Sequence, residues 1–464
     1  MTPPTYRERL KTGVVHFGPG AFHRAHQADY FDRLLHHDPR WGIAAASLRS
    51  GQTVETLKSQ DNLYTLAILD ERTSFRTIGA HSHFLGPSDR ASLRRLLGEP
   101  AVTLVTTTVT EKGYCLSGDG ALDLRHPDVV HDLANPQEPR SLIGWLALGF
   151  ADRRTSGLPP FTSICCDNMA GNGRKFADAV HCFTEQLDPD LSQWIADEAR
   201  FPNTMVDSIT PATDERLIQL VRKETGFDDR APVAREAFAQ WVIEDVLPAG
   251  SPDLASVGVI LTDNVAEWER AKLRILNGSH STLAYIGLLL GHDTVAQAMD
   301  DPLLRSFVER LIFEDIIPTL ESSRIDLKSY ARETLARFRN PAINHRLSQI
   351  AWDGSQKLPY RILDTVIDAL TAGRPVNRLA LPIAAWIAFL VRAASEGVAI
   401  VDPLAHQLAS RARADSPVDD MLALRQVFPE PLAANPAFRS ALETGFNNIR
   451  DLGVGGAVSK LLSP

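Results

Sequence analysis

Five short runs, rich in β-branched and small apolar residues, constrain the first half of this chain: GVVHF at 13–17, WGIAAASL at 41–48, AVTLVTTTVT at 101–110, PFTSICC at 160–166 and GVILTD at 258–263. Helix-patterned stretches such as AHQADYFDRLL at 25–35 lie between them. Runs that are apolar throughout, rather than alternating, fit strands buried on both faces, and the intervening helices are the crossovers that parallel pairing needs. Beyond residue 263 no further run of this kind occurs. VAEWERAKLRIL, LLRSFVERLIFEDIIPTL and PYRILDTVIDAL instead space their apolar residues as helices do, and Pro302, Pro341, Pro359 and Pro382 punctuate them. The pattern predicts an α/β domain with a mainly parallel sheet over 1–263 and an all-α domain over 264–464.

The run at 13–17 leads straight into Gly18-Pro19-Gly20-Ala21-Phe22-His23-Arg24. A glycine turn between a first strand and a helix can face backbone N–H groups toward a pyrophosphate, so the domain reads as Rossmann-like. A plain strand–helix turn has the same signature. His23 stands where a third glycine is usual, and no acidic residue follows 41–48 to hold a ribose 2′-hydroxyl. Arg49 follows instead, placed to stack on adenine or meet a 2′-phosphate, or simply to be solvated. His23, Arg24 and His26 read as cations that complete an anion site at the helix start.

Acidic side chains outnumber basic ones by 57 to 48, a net charge of −9, which argues against binding nucleic acid. Four cysteines without a CxxC pair fit reduced, buried thiols, and the first residues carry no apolar leader. The apolar run 379–391 is too short to span a bilayer and contains Pro382. A cytoplasmic protein with a small-molecule partner, and neither nucleic-acid nor membrane partners, is expected.

The stretch from Glu269 to Ser281 carries the chemistry. At about 100° per residue, Lys272, Glu269, His280 and Asn277 fall near 0°, 60°, 80° and 140° on a helix. A solvated helix face can have this pattern too, but Asn277-Gly278 in mid-helix is locally unfavourable and suggests a helix end or a site. A lysine becomes a general base when burial and neighbouring cations draw its pKa from about 10.4 toward 7–8, and asparagine amides can donate to a developing oxyanion. Metal assistance lacks ligands, because no His/Cys cluster has zinc spacing.

Across nearly its whole length the chain resembles the mannitol dehydrogenase family of polyol-specific long-chain dehydrogenases. The likeness lies in GPGAFHRAHQADYFDRLL, QDNLYTL, TVTEKGYC, CDNMAGNG, FPNTMVDSITPAT, QWVIED, KLRILNGSHSTLAY and DGSQKLPYR. The resemblance implies a metal-independent secondary-alcohol dehydrogenase using NAD, NADP remaining open. In it Lys272 is the general acid/base, Asn168 and Asn277 the oxyanion donors, and His280 a substrate-hydroxyl contact. Asp207 is an acidic residue near the reacting centre, and Glu269 a proton-relay carboxylate. Gly18, Gly20, Ala21 and Phe22 form the cofactor turn. The family's usual arginine is replaced by Ser208 in MVDSITP.

Polyol-specific members of the family tend to read D-T-x-x-R-R-L-C-x-D-G-S-N-R-x-P-K-F where this chain has AINHRLSQIAWDGSQKLPYR after Asn340-Pro341. The segment resembles the fructuronate reductase (D-mannonate oxidoreductase) branch. His345, Arg346, Lys357 and Arg361 are its candidate substrate contacts, and a guanidinium or ammonium there suits a hexuronate carboxylate. D-fructuronate and D-mannonate are therefore the expected pair. Mannitol with fructose, or a related polyol or tagaturonate, is the alternative. A nucleotide sensor without catalysis is a third reading, but it would have no use for Lys272, Asn277 and His280.

Overall fold

The computed structural model describes residues 1–321, 324–343 and 345–463. It divides into two compact units, Met1–Ala266 and Glu267–Pro464.

The first unit is built on five parallel strands, β1 (Thr12–Phe17), β2 (Gly42–Ala46), β3 (His81–Leu85), β4 (Leu104–Thr107) and β5 (Thr162–Cys165), in the order β3-β2-β1-β4-β5. Side chains alternate between the faces of a strand, and here both faces are covered. Val15, Phe17, Ala44, Ala46 and Val105 enter one core with Phe150 and Phe161. Val14, Ile43, Ala45 and Leu104 enter the other with Phe31 and Trp241. That double burial is why the runs read as continuously apolar.

Two of the five runs behave differently from expectation. The run 101–110 is strand only over Leu104–Thr107, because Val109 and Thr110 turn away to donate their N–H groups to Asp167. The run 258–263 contributes Ile260–Thr262 to a separate small sheet, parallel to Gln240–Glu244, which in turn pairs antiparallel with Thr204–Asp207. A third sheet joins Tyr64–Leu69, Ser74–Ile78 and Val233–Glu236. The helix expected at 25–35 begins earlier and breaks at His26 (φ −116°, ψ −86°), separating Ala21–Ala25 from Gln27–Leu35.

The second unit is helical, and among the described residues it contains no strand. Its longest elements, Asn377–Glu396 and Pro436–Leu462, pack on each other. By length and composition Asn377–Glu396 could cross a membrane, but 67% of its apolar window is buried within the protein, as in a core helix. Three segments wind as π-helix, Lys272–Asn277, Leu311–Ile316 and Pro359–Leu363, and the first packs against both others. Such i→i+5 turns are rare and recur at functional sites.

Candidate active site

In the first unit the order of strands reverses direction at β1 and β4, and ligands of open α/β sheets bind at such a switch point, beyond the carboxyl ends of the strands. Phe17 is level with Ala46 on one side and Thr107 on the other, so Gly18 and Thr108 leave the sheet together. Gly18 has φ +97°, and its carbonyl accepts the Thr108 hydroxyl at 2.7 Å. A Cβ at Gly18 would lie 2.1 Å from the Thr108 carbonyl oxygen, whereas at Gly20 the nearest atom is 4.0 Å away. The first glycine is thus demanded by the fold, and the second leaves backbone open to a ligand.

A groove of about 430 Å³ opens there, lined among others by Gly18, Gly20, Arg49, Thr108, Lys112 and Arg140. That is an ordinary volume for a cofactor-sized pocket. Glycine backbone with cations around it fits an anionic dinucleotide. Of the expected turn residues, Gly18 and Gly20 line the groove. Ala21 opens the short helix behind it, and Phe22 stacks on His26 with ring centroids 4.9 Å apart. Arg49 lines the groove, is exposed, and pairs with Asp128 at 3.1 Å.

The three residues read as cations at the helix start do something else. Arg24 is buried and donates to the Ala231 carbonyl at 2.5 Å. His23 is fully buried, stacked on His16 at 3.4 Å between ring centroids, with its Nε2 3.0 Å from that of His81. His26 is also fully buried, bonded to the Gln240 carbonyl at 3.0 Å. Burial holds all of these imidazoles neutral. His16 is pushed down to about 3 and His26 to about 4. For His23 and His81 burial again dominates, helped by neighbouring histidines and Arg24, and places them well below the usual value of 6.5. They frame the turn from within the core instead of meeting an anion.

Unfolded, each imidazole takes up a proton near pH 6.5, while folded it stays neutral to much lower pH, so its contribution is complete above 6.5 and shrinks as pH falls. Each group removes up to about 1.4 kcal/mol per pH unit in that window. The urea midpoint is expected to drop steeply between pH 6.5 and 5, and an unchanged midpoint would contradict buried neutral histidines.

Sequence reasoning passed over two residues that shape this region. Asp167, after β5, accepts from Val109 N at 2.9 Å, Thr110 N at 3.0 Å and Tyr114 OH at 2.6 Å, which pins the loop bordering the groove with Thr110 at φ 66°. Asn172 is buried and donates to the Cys165, Asp167 and Thr204 carbonyls while accepting from Thr204 N. It fastens the bend carrying Asn168 to the strand that ends at Asp207. A buried asparagine in CDNMAGNG was the available signal. Asn168 itself is exposed on that bend, and Asp207 is buried opposite Gln240. Ser208 donates to the Phe238 carbonyl at 2.9 Å.

In the second unit Lys272 opens the first π-turn and Asn277 closes it. The wider winding brings residues five apart closer to one face than the 140° of an α-helix allows. Lys272 is 8% exposed although it is a lysine, with Ile275 and Leu276 buried beside it. Glu269 is half-buried, one turn earlier in Val265–Ala271. A Cβ at Gly278 would meet the Arg361 carbonyl at 2.8 Å, so the Asn277-Gly278 pair marks a close backbone approach between two π-turns.

His280, His345 and Arg361 gather beside this approach. His280 lies edge-on to His345 at 4.9 Å, and Arg361 donates to the Ser281 hydroxyl at 3.2 Å. Burial, reinforced by His345 and Arg361, keeps His280 well below the usual imidazole value, and burial alone brings His345 to about 4. The buried His280 Nε2, His345 Nδ1 and Arg361 Nε have no hydrogen-bond partner among the described residues. Orphaned buried polar atoms gathered in this way call for a ligand or a water. Arg346 is exposed, and the Lys357 ammonium donates to the Trp352 carbonyl at 2.6 Å.

A Rossmann sheet with a glycine turn at its switch point, joined to a helical unit holding a buried lysine, defines a dinucleotide-dependent oxidoreductase. Family models agree: the mannitol dehydrogenase Rossmann domain matches residues 12–256, and the mannitol dehydrogenase C-terminal domain matches 264–450. The chain belongs to the mannitol dehydrogenase family. It is 38% identical to D-mannonate oxidoreductase of Escherichia coli (strain K12), covering 99% of this chain and 97% of that one. It is 36% identical to mannitol 2-dehydrogenase of Phaeosphaeria nodorum, covering 97% and 81%. Among solved structures, the Pseudomonas fluorescens mannitol 2-dehydrogenase ternary complex with NAD and D-mannitol matches with a TM-score of 0.85 at 35% identity, covering 98% and 95%.

Proposed function

We propose that the chain interconverts D-fructuronate and D-mannonate with NAD(H), by hydride transfer at a secondary alcohol or ketone without a metal. The half-buried Arg361 guanidinium, with its buried Nε unpartnered beside neutral His280, carries this reading, because a largely desolvated guanidinium is suited to a carboxylate that a polyol lacks. Among the described residues no three His, Cys, Asp or Glu side chains converge as metal ligands would.

Gly18 and Gly20 would hold a dinucleotide at the turn, which would supply or accept the hydride. Lys272 delivers a proton to the carbonyl oxygen, or removes one from the hydroxyl. Asn168 and Asn277 donate hydrogen bonds to the oxygen while it is negatively charged, and His280 holds a neighbouring hydroxyl through its imidazole. Asp207 is the acidic residue of the reacting centre, and Glu269 returns the proton toward solvent. Arg361 binds the carboxylate, with His345 beside it and Arg346 and Lys357 as outlying cations.

Arg361→Leu tests the substrate. A charge-assisted hydrogen bond to a carboxylate is worth about 1.5–3 kcal/mol, so kcat/KM for D-fructuronate should fall by about 10–100-fold while turnover of D-fructose is little changed. Should D-fructose prove the better substrate of the unaltered enzyme, the mannitol 2-dehydrogenase reading replaces this one. The identities to both kinds of relative, 38% and 36%, leave that comparison to the assay.

A further inference from the structure

The groove at the glycine turn has an unusual charge balance. Its lining includes Arg49, Lys112 and Arg140 and, among the described residues, no aspartate or glutamate. In Rossmann domains an acid shortly after the second strand accepts from the ribose 2′-hydroxyl and repels a phosphate there, whereas an arginine accommodates the 2′-phosphate. Here β2 is followed by Ser47-Leu48-Arg49-Ser50, two hydroxyls and a guanidinium, all lining the groove with Leu48. Arg49 and Arg140 also line an adjoining cavity of about 220 Å³, so both guanidinium-bearing residues stand where the two spaces meet.

Asp128 borders that second cavity and takes one Arg49 nitrogen, Nη2, at 3.1 Å. The Arg49 fork has five donors, so Nε and Nη1 remain for an anion. The Arg140 guanidinium makes no ion pair among the described residues, and its backbone N–H is anchored on Asp132 at 2.7 Å.

We propose that this groove recognises a 2′-phosphate, with Arg49 and Arg140 as its contacts, so that the chain accepts NADP(H) alongside NAD(H). The proposal rests on the reading that the groove holds a dinucleotide, and it is independent of which sugar reacts.

Titration of the full-length protein with NADPH and with NADH, without substrate, separates the possibilities by fluorescence or calorimetry. The expected result is a Kd for NADPH no more than tenfold above that for NADH, and a steeper weakening of NADPH with added salt. Arg49→Ala and Arg140→Ala should each raise the NADPH Kd by tenfold or more, and the NADH Kd by a factor at least fivefold smaller. Asp128→Asn, which frees the remaining Arg49 nitrogen, should tighten NADPH alone. A Kd for NADPH more than tenfold above NADH, or equal weakening of both cofactors by the arginine substitutions, overturns the proposal. So does loss of NADH affinity in Asp128→Asn, which would make Asp128 the ribose-hydroxyl acceptor. Failure of both dinucleotides to bind would instead remove the underlying reading of the groove.

Discussion

Lys272→Ala is expected to lower kcat by about 10²–10⁴-fold, the range that a positioned general acid or base contributes. Nicotinamide cofactor affinity should change little, since Lys272 is not among the residues that line the groove. Burying a lysine is costly. A lysine is almost never fully buried without a reason, and this one is 8% exposed on a turn whose neighbours Ile275 and Leu276 are core. A lysine that moves a proton is needed for turnover and not for the fold, so the variant should keep the cooperative urea transition of the parent while losing turnover. That opposition distinguishes a catalytic lysine from a structural one. Added primary amines should recover part of the rate, because they restore a proton carrier in the space vacated. A variant retaining more than a tenth of the normal kcat would exclude Lys272 as the proton donor.

Four strands of the main sheet, β1, β2, β4 and β5, were readable because both of their faces are buried and their apolar runs are unbroken, whereas β3, HSHFL with His83 exposed, carried no such run. GVVHF and WGIAAASL became β1 and β2 on that basis. The run at 101–110 shows where the rule stops. Its β-branched residues all favour extended backbone, yet Asp167, 57 residues further on, captures Thr110 N and ends pairing at Thr107. No local pattern contains that bond. The same holds for the buried histidines. His23 beside Arg24 looks cationic in sequence, and only the fold reveals that His16 and His81 enclose it. The lysine helix failed in an informative way. A wheel of about 100° per residue assumes α-winding, and the segment winds more widely between Lys272 and Asn277. The Asn277-Gly278 pair signalled the irregularity correctly. What it could not show was the Arg361 carbonyl that packs against Gly278. The site residues themselves became legible through family resemblance, with spacing supplying only the shared face.

Gly18→Ala is expected to cripple cofactor binding and destabilise the first unit together. Alanine must adopt φ +97°, a region side chains with a Cβ rarely occupy, and must place that Cβ 2.1 Å from the Thr108 carbonyl oxygen. Neither atom can yield alone, because Gly18 N is bonded to the Ala46 carbonyl at 2.9 Å and Thr108 N to the Phe17 carbonyl at 2.8 Å. The ends of β1, β2 and β4 must therefore shift as a group. Backbone strain and overpacking together imply a loss of about 2–5 kcal/mol. A displaced turn also misdirects the backbone N–H groups, so the NADH Kd should rise by more than a hundredfold. Gly20→Ala is the contrasting measurement. Its φ is −70° and its nearest neighbour would be 4.0 Å away, so stability should hold within about 1 kcal/mol while NADH affinity falls, because the added methyl projects into the groove. Equal stability of the two variants in urea would show that the Gly18 conformation is not what shapes the switch point, whereas unequal stability with a shared loss of affinity would assign the first glycine to the fold and the second to the ligand.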